Sequence, residues 1–99
     1  MIRGTTPTLT FKLPFDCASI DILNISFAQH SNVVLEKEFY DCDIEGNVIK
    51  VTLTEDDTLK FDDSEHAEIQ IRVGIGEQRL ASQIMKMAVE RVLKDGSLQ

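Results

Sequence analysis

The sequence predicts an all-β fold, an immunoglobulin-like two-layer β-sandwich with one short helical turn, and three observations carry that expectation. Apolar and polar residues alternate with period two in segment after segment. Turn-forming residues recur roughly every eight to twelve positions, the spacing of short strands in a sandwich. The composition, 42% hydrophobic and 27% charged with two prolines and five glycines, belongs to a folded globular chain rather than a disordered or fibrous one. Ninety-nine residues are too few for two independent cores, so residues 1-99 are expected to form a single domain.

The first alternation runs from Thr8 to Phe15, with Leu9, Phe11, Leu13 and Phe15 on one face and Thr8, Thr10 and Lys12 on the other. Pro14 has no amide to give to a ladder, so this strand is expected at a sheet edge or at its end. Ile20 to Gln29 places Leu23, Ile25 and Phe27 on one face; Ile20 and Ile22 have the opposite parity, which calls for a bulge or a late start. His30-Ser31-Asn32 reads as a turn into a second alternation, Val33 to Tyr40. There Val33, Leu35 and Phe39 face inward, Glu36 and Glu38 face outward, and Lys37 is a charged misfit on the apolar face.

Glu45-Gly46-Asn47 is a tight turn leading to Val48–Leu53, with Ile49, Val51 and Leu53 on one face. Thr54-Glu55-Asp56-Asp57 reads as a capping box opening a single helical turn over Glu55 to Thr58, fastened by Leu59 and Phe61. Asp62 to Glu65 is a loop, and Ala67 to Ile75 is the cleanest alternation in the chain. The last segment carries two patterns. Ile84, Met85, Ala88, Val89, Val92 and Leu93 recur at helical spacing and Gly96 stands where a helix would stop, which supports an α+β alternative with a helix over 81-95. Met85, Met87 and Val89 also alternate, and a turn over 74-79 would fold a strand from Leu80 back onto Ala67–Val73. The expected core comprises Leu9, Phe11, Leu13, Leu23, Ile25, Phe27, Leu35, Ile49, Val51, Leu53, Leu59, Phe61, Ile69, Ile71 and Val73.

Ten Lys and Arg against seventeen Asp and Glu leave a net charge of -7, which repels phosphate backbones and anionic lipid, so no nucleic-acid partner is expected. The longest uncharged stretch, within 22-36, holds Asn24, Gln29, His30 and Asn32 and is no bilayer span. The opening residues lack the apolar core of a secretory signal, so with Met1 as the start the chain is expected in the cytoplasm, with Cys17 and Cys42 as reduced thiols; a Cys17–Cys42 disulfide is the alternative.

Asp41, Asp43, Glu45 and Gly46 have the spacing of the first half of a calcium loop, where alternating acids aim oxygens at one cation. The twelfth position is Thr52 inside a strand pattern, so Asp41, Asp43 and Glu45 are weak metal candidates and an acidic hairpin is the simpler reading. His30 and His66 lie in no metal-ligand pattern, no serine sits in a GxSxG elbow, and Gly74-Ile75-Gly76 is too short for a dinucleotide loop. Met85 and Met87 read as core filler rather than a partner groove. No catalytic constellation and no cofactor site is expected.

The segments Arg3-Gly4-Thr5-Thr6-Pro7-Thr8, Leu13-Pro14-Phe15, Leu53 to Phe61, Ile69-Gln70-Ile71-Arg72-Val73 and Leu93-Lys94-Asp95-Gly96 resemble small proteins encoded in phages and prophages of gut Firmicutes. The resemblance runs nearly end to end and implies a strand-like final segment, whereas Met85-Lys86-Met87-Ala88 strengthens the helical pattern here. It implies a non-enzymatic virion structural or accessory protein, whose partners are other phage structural proteins or further copies of itself as a homo-oligomer. Two other readings stand beside it. One is an acidic mimic of DNA that inhibits or regulates a host nucleic-acid enzyme through an array of Asp41, Asp43, Glu45, Asp56, Asp57, Asp62 and Asp63. The other is a calcium-dependent binding module.

Overall fold

A computed structural model describes residues 1–98. Eight strands and one helical turn follow in the order β1 Thr8–Lys12, β2 Ile22–Gln29, β3 Asn32–Glu38, β4 Cys42–Glu45, β5 Val48–Thr52, α1 Glu55–Leu59, β6 Ala67–Ile75, β7 Gln78–Ala81 and β8 Met85–Met87. A 3₁₀ turn, Phe39–Asp41, links β3 to β4. The strands make two sheets, β1-β5-β4 and β3-β2-β6-β7 with β8 also on β6, and all ladders are antiparallel. The result is an all-β sandwich. Its strand order departs from that of an immunoglobulin constant domain at one strand: β2 lies in the larger sheet between β3 and β6, not beside β1 and β5.

The inward positions of both sheets meet in one core. Leu23, Ile25 and Phe27 of β2, Ile69, Ile71 and Val73 of β6, and Ile49 and Val51 of β5 are buried, as are Phe11, Leu13, Leu53 and Phe61. Phe27 and Phe61 meet edge to face, with ring centroids 5.9 Å apart. Cys17, Ile20, Ala67 and Val89 join this core although no alternation marks the first two, while Leu9 and Leu59 are only half-buried.

Some local expectations are met and others are corrected. The first strand stops at Lys12 because Pro14 ends the ladder, and β2 starts late at Ile22, leaving Ile20 buried in the preceding turn. The bulge lies further on: Phe27 pairs with Leu35 and Ala28 with Val33, so Val34 is the extra residue. That insertion reverses the parity of β3, and Val33, expected inside, is 57% exposed. Phe39 is turned outward by the 3₁₀ turn. The alternative helix over 81-95 does not form. In that stretch the chain forms the end of β7 at Ala81, the short strand β8 and otherwise irregular backbone, because β6 offers an open edge on which Leu80, Met85 and Met87 alternate onto the core.

Two hairpins turn through glycine. In Gly46-Asn47 and Gly76-Glu77 only the glycine has positive φ, +60° and +57°, the type II′ pattern that suits strand twist. The β2–β3 hairpin uses His30 and Ser31 instead, both at positive φ, a type I′ pattern without glycine. An added Cβ at Gly46 or Gly76 would meet nothing within 4 Å, so backbone conformation is the only obstacle to a side chain there. Gly46→Ala and Gly76→Ala are therefore each expected to lower unfolding free energy by about 1 kcal/mol in urea titrations, with the fold retained.

Candidate functional site

Several charged side chains are engaged in building the fold. Lys37, the misfit of β3, pairs across the ladder with Ile25 and therefore projects into the sandwich. Its ammonium lies 2.8 Å from the Asp57 carboxylate, with the two side chains 15% and 10% exposed. Asp57 Oδ2 also accepts the Thr54 amide, and Thr54 Oγ1 accepts the Asp57 amide, closing the capping box that starts α1. Burial raises the Asp57 carboxyl, but the Lys37 ammonium and the Thr54 amide outweigh it and hold the group below the ordinary carboxylate range.

α1 in turn anchors the chain ends. Thr58, fully buried, accepts the Gly4 amide and donates to Thr5 O. The Arg3 guanidinium donates to Leu59 O, Phe61 O and Asp95 Oδ1. Met1 and Ile2 lie parallel to Ala88–Glu90, with Glu90 N–H on Met1 O and Arg3 N–H on Glu90 O.

At the opposite hairpin, the buried Gln29 amide group donates to Asp62 O and Glu65 O and accepts Asp62 N–H. The Glu65 carboxylate receives both the His30 backbone amide at 2.9 Å and Nδ1 at 2.8 Å, and Asp62 stands 3.4 Å from Nε2. Asp62 sits below the ordinary carboxylate range, chiefly through the Ser64 amide. These contacts lock the strained His30-Ser31 turn onto the loop before β6.

The weak metal candidates are not brought together. Asp41 folds back to accept the Glu38 amide at 2.8 Å, while Asp43 and Glu45 pair with Lys50 and Val48 on the outward face of the smaller sheet. Among the described residues, no three His, Cys, Asp or Glu side chains converge as a metal site. Of the acids proposed for a DNA-like array, Asp57 is inside and paired, Asp41 is a cap, and Asp62 is tied to Ser64 and His30. The others, Asp43, Glu45, Asp56 and Asp63, are exposed on three separate elements. His66 is exposed beside β6, and Met85 and Met87 line the core edge.

Cys17 and Cys42 are free thiols. Burial and then Asp41 push the Cys42 thiol up to about 11, and its Sγ faces Glu38 O at 3.4 Å. Burial also raises Cys17. No helix of the described residues is long and apolar enough to cross a membrane.

The feature sequence reasoning missed is the corner between β3 and β4. Phe39 and Tyr40 meet edge to face with centroids 5.5 Å apart, and Tyr40 is 96% exposed. The Asp41 carboxylate accepts the Glu38 amide, and the Cys42 thiol faces the Glu38 carbonyl, across the base of the corner. The adjacent Phe-Tyr pair flanked by Glu38 and Asp41 was a visible signal, but alternation assigned Phe39 to the core.

No family model matches this chain, and no curated protein or solved structure matches it.

Lys37→Met restores apolar alternation but strands a buried carboxylate, and an expected loss of about 3 kcal/mol is checked by denaturant unfolding. The pair's pH dependence follows from the lowered Asp57 group. Its contribution is fully present above the ordinary carboxylate range and is lost as pH falls through that range to the lowered folded value. The stability difference between wild type and Asp57→Asn should therefore shrink on acidification. Native protein at pH 7 should label with iodoacetamide far more slowly than urea-unfolded protein, because burial shields Cys17 and lowers the reactive thiolate fraction of both thiols below that of the unfolded chain.

Proposed function

We propose that this chain is a non-enzymatic assembly module of phage or prophage origin, a virion structural or accessory protein that acts by docking on other protein subunits. The observation that carries the reading is the exposed aromatic corner. A Tyr that is 96% exposed, at the apex of a 3₁₀ turn and against Phe39, offers a large amphipathic contact area, a property of interface anchors. Its acidic flanks, Glu38 and Asp41, suit a partner face bearing Arg or Lys. The sequence resemblance of the Arg3–Thr8, Leu53–Phe61 and Ile69–Val73 segments to phage-encoded proteins supplies the context.

The test is a count of this protein against the major capsid protein, by mass spectrometry of gradient-purified particles after prophage induction. A fixed stoichiometry supports a virion part, and absence from particles together with failure to bind any phage protein overturns the reading. Tyr40→Ala should leave the melting temperature nearly unchanged, since the ring is solvent-exposed, while lowering occupancy in particles or partner affinity about tenfold or more.

A further inference from the structure

We propose that the outer edge of β1 is a self-pairing surface, on which a second copy of this chain docks to give a symmetric dimer with a continuous six-stranded sheet. The inference deepens the assembly reading by naming one partner and the surface it uses.

The hydrogen-bond parity of β1 sets which groups are free. Leu53 N–H donates to Pro7 O at 2.9 Å and Leu13 N–H to Asn47 O at 2.8 Å, bracketing the β1–β5 ladder. Narrow pairs in an antiparallel ladder fall at every second residue, so positions 7, 9, 11 and 13 turn their main-chain groups toward β5. Thr8, Thr10 and Lys12 turn theirs away from it. Among the described residues no other strand or loop backbone pairs with those three.

The other sheet edges carry devices that discourage pairing. β3 has the bulge at Val34 and the acids Glu36 and Glu38. β4 is four residues long and bears Asp43 and Glu45. The β7–β8 edge is interrupted over 82-84, where Ser82 reaches across to both the Ile71 amide and the Ile71 carbonyl. β1 has neither bulge nor break, and in a chain of net charge -7 it has no acid between Thr8 and Lys12. Pro7 and Pro14 bound the edge without interrupting it.

A second copy fits this edge by self-complementarity. Antiparallel pairing centred on Thr10 places Thr10 opposite Thr10 of the second copy and Thr8 opposite Lys12, so that all three outward residues exchange main-chain hydrogen bonds. In that register the two Lys12 positions stand four residues apart, about 13 Å, beyond the screening length of about 8–10 Å at physiological salt. A shift toward Lys12 would set the two lysines face to face, and a shift toward Thr8 would discard bonds. On the inner side, half-buried Leu9 meets Phe11 of the second copy and extends the core across the junction. The two-fold operation closes on itself, so the assembly stops at the dimer.

Sedimentation velocity of the full chain over a concentration series tests this. Wild type should pass from monomer to dimer, and Thr10→Glu, which opposes two carboxylates at the two-fold axis, should weaken association about tenfold or more with an unchanged far-UV spectrum. Thr10→Cys should give a covalent dimer on mild oxidation, since the Cα separation of a narrow pair, about 5.5 Å, suits a disulfide; Thr8→Cys, which faces Lys12, should not. Wild type that remains monomeric at about 1 mM, a Thr10→Glu variant that dimerises like wild type, or equal crosslinking of the two cysteine variants overturns the proposal. A monomer that is still incorporated in particles would overturn the dimer alone and leave the assembly reading standing.

Discussion

The ion pair between Lys37 and Asp57 is the constraint on which much of the remaining structure hangs. It joins the larger sheet to the helical turn that follows the smaller one, and it does so from the apolar side of β3, where a charge is tolerated only when partnered. The same carboxylate oxygen closes the cap of α1, so the pair and the helix stand or fall together. α1 then holds Thr58 against Gly4 and Thr5, which delivers the chain into β1, while Arg3 gathers Leu59, Phe61 and Asp95. One buried charge thus organises both chain ends without contributing a reactive group.

Polar residues elsewhere follow the same logic. Gln29 is buried because it replaces the missing main-chain partners of the loop at Asp62–Glu65, and Glu65 steadies a hairpin whose two central residues both have positive φ. No buried side-chain polar atom among the described residues lacks a hydrogen bond. Of the side chains with the pattern of metal ligands or acid–base groups, Asp41, Asp57, Asp62 and His30 are engaged in capping, pairing and turn locking, whereas Asp43, Glu45 and His66 are exposed. The Phe39–Tyr40 corner and the outer main-chain edge of β1 are among the surfaces that these contacts leave unused.

Much of this was legible in the chain itself. Leu23, Ile25 and Phe27, then Ile49, Val51 and Leu53, then Ile69, Ile71 and Val73, revealed their burial because the strand's period of two is a property of local backbone geometry. The capping box at Thr54 and Asp57 was equally plain, since its partners are three residues apart. Lys37 was recognisable as an exception, yet its partner lies twenty positions away and no local pattern points to it. The corner at Phe39 and Tyr40 was hidden because alternation was extended past the point where the 3₁₀ turn ends it.

The sequence by itself determined most of the strands through Ile75, the buried faces of β2, β5 and β6 and the main turns, because side-chain alternation, glycine and proline act within a few residues. Tertiary structure alone decided the placement of β2 between β3 and β6, the bulge at Val34, and the fate of the final segment. That segment satisfies both helical and strand spacing, and Met85–Met87 pairs as a strand because β6 offers an edge and an apolar face beside it. Edge availability depends on the whole sheet, so no reading of residues 81-95 in isolation could settle it.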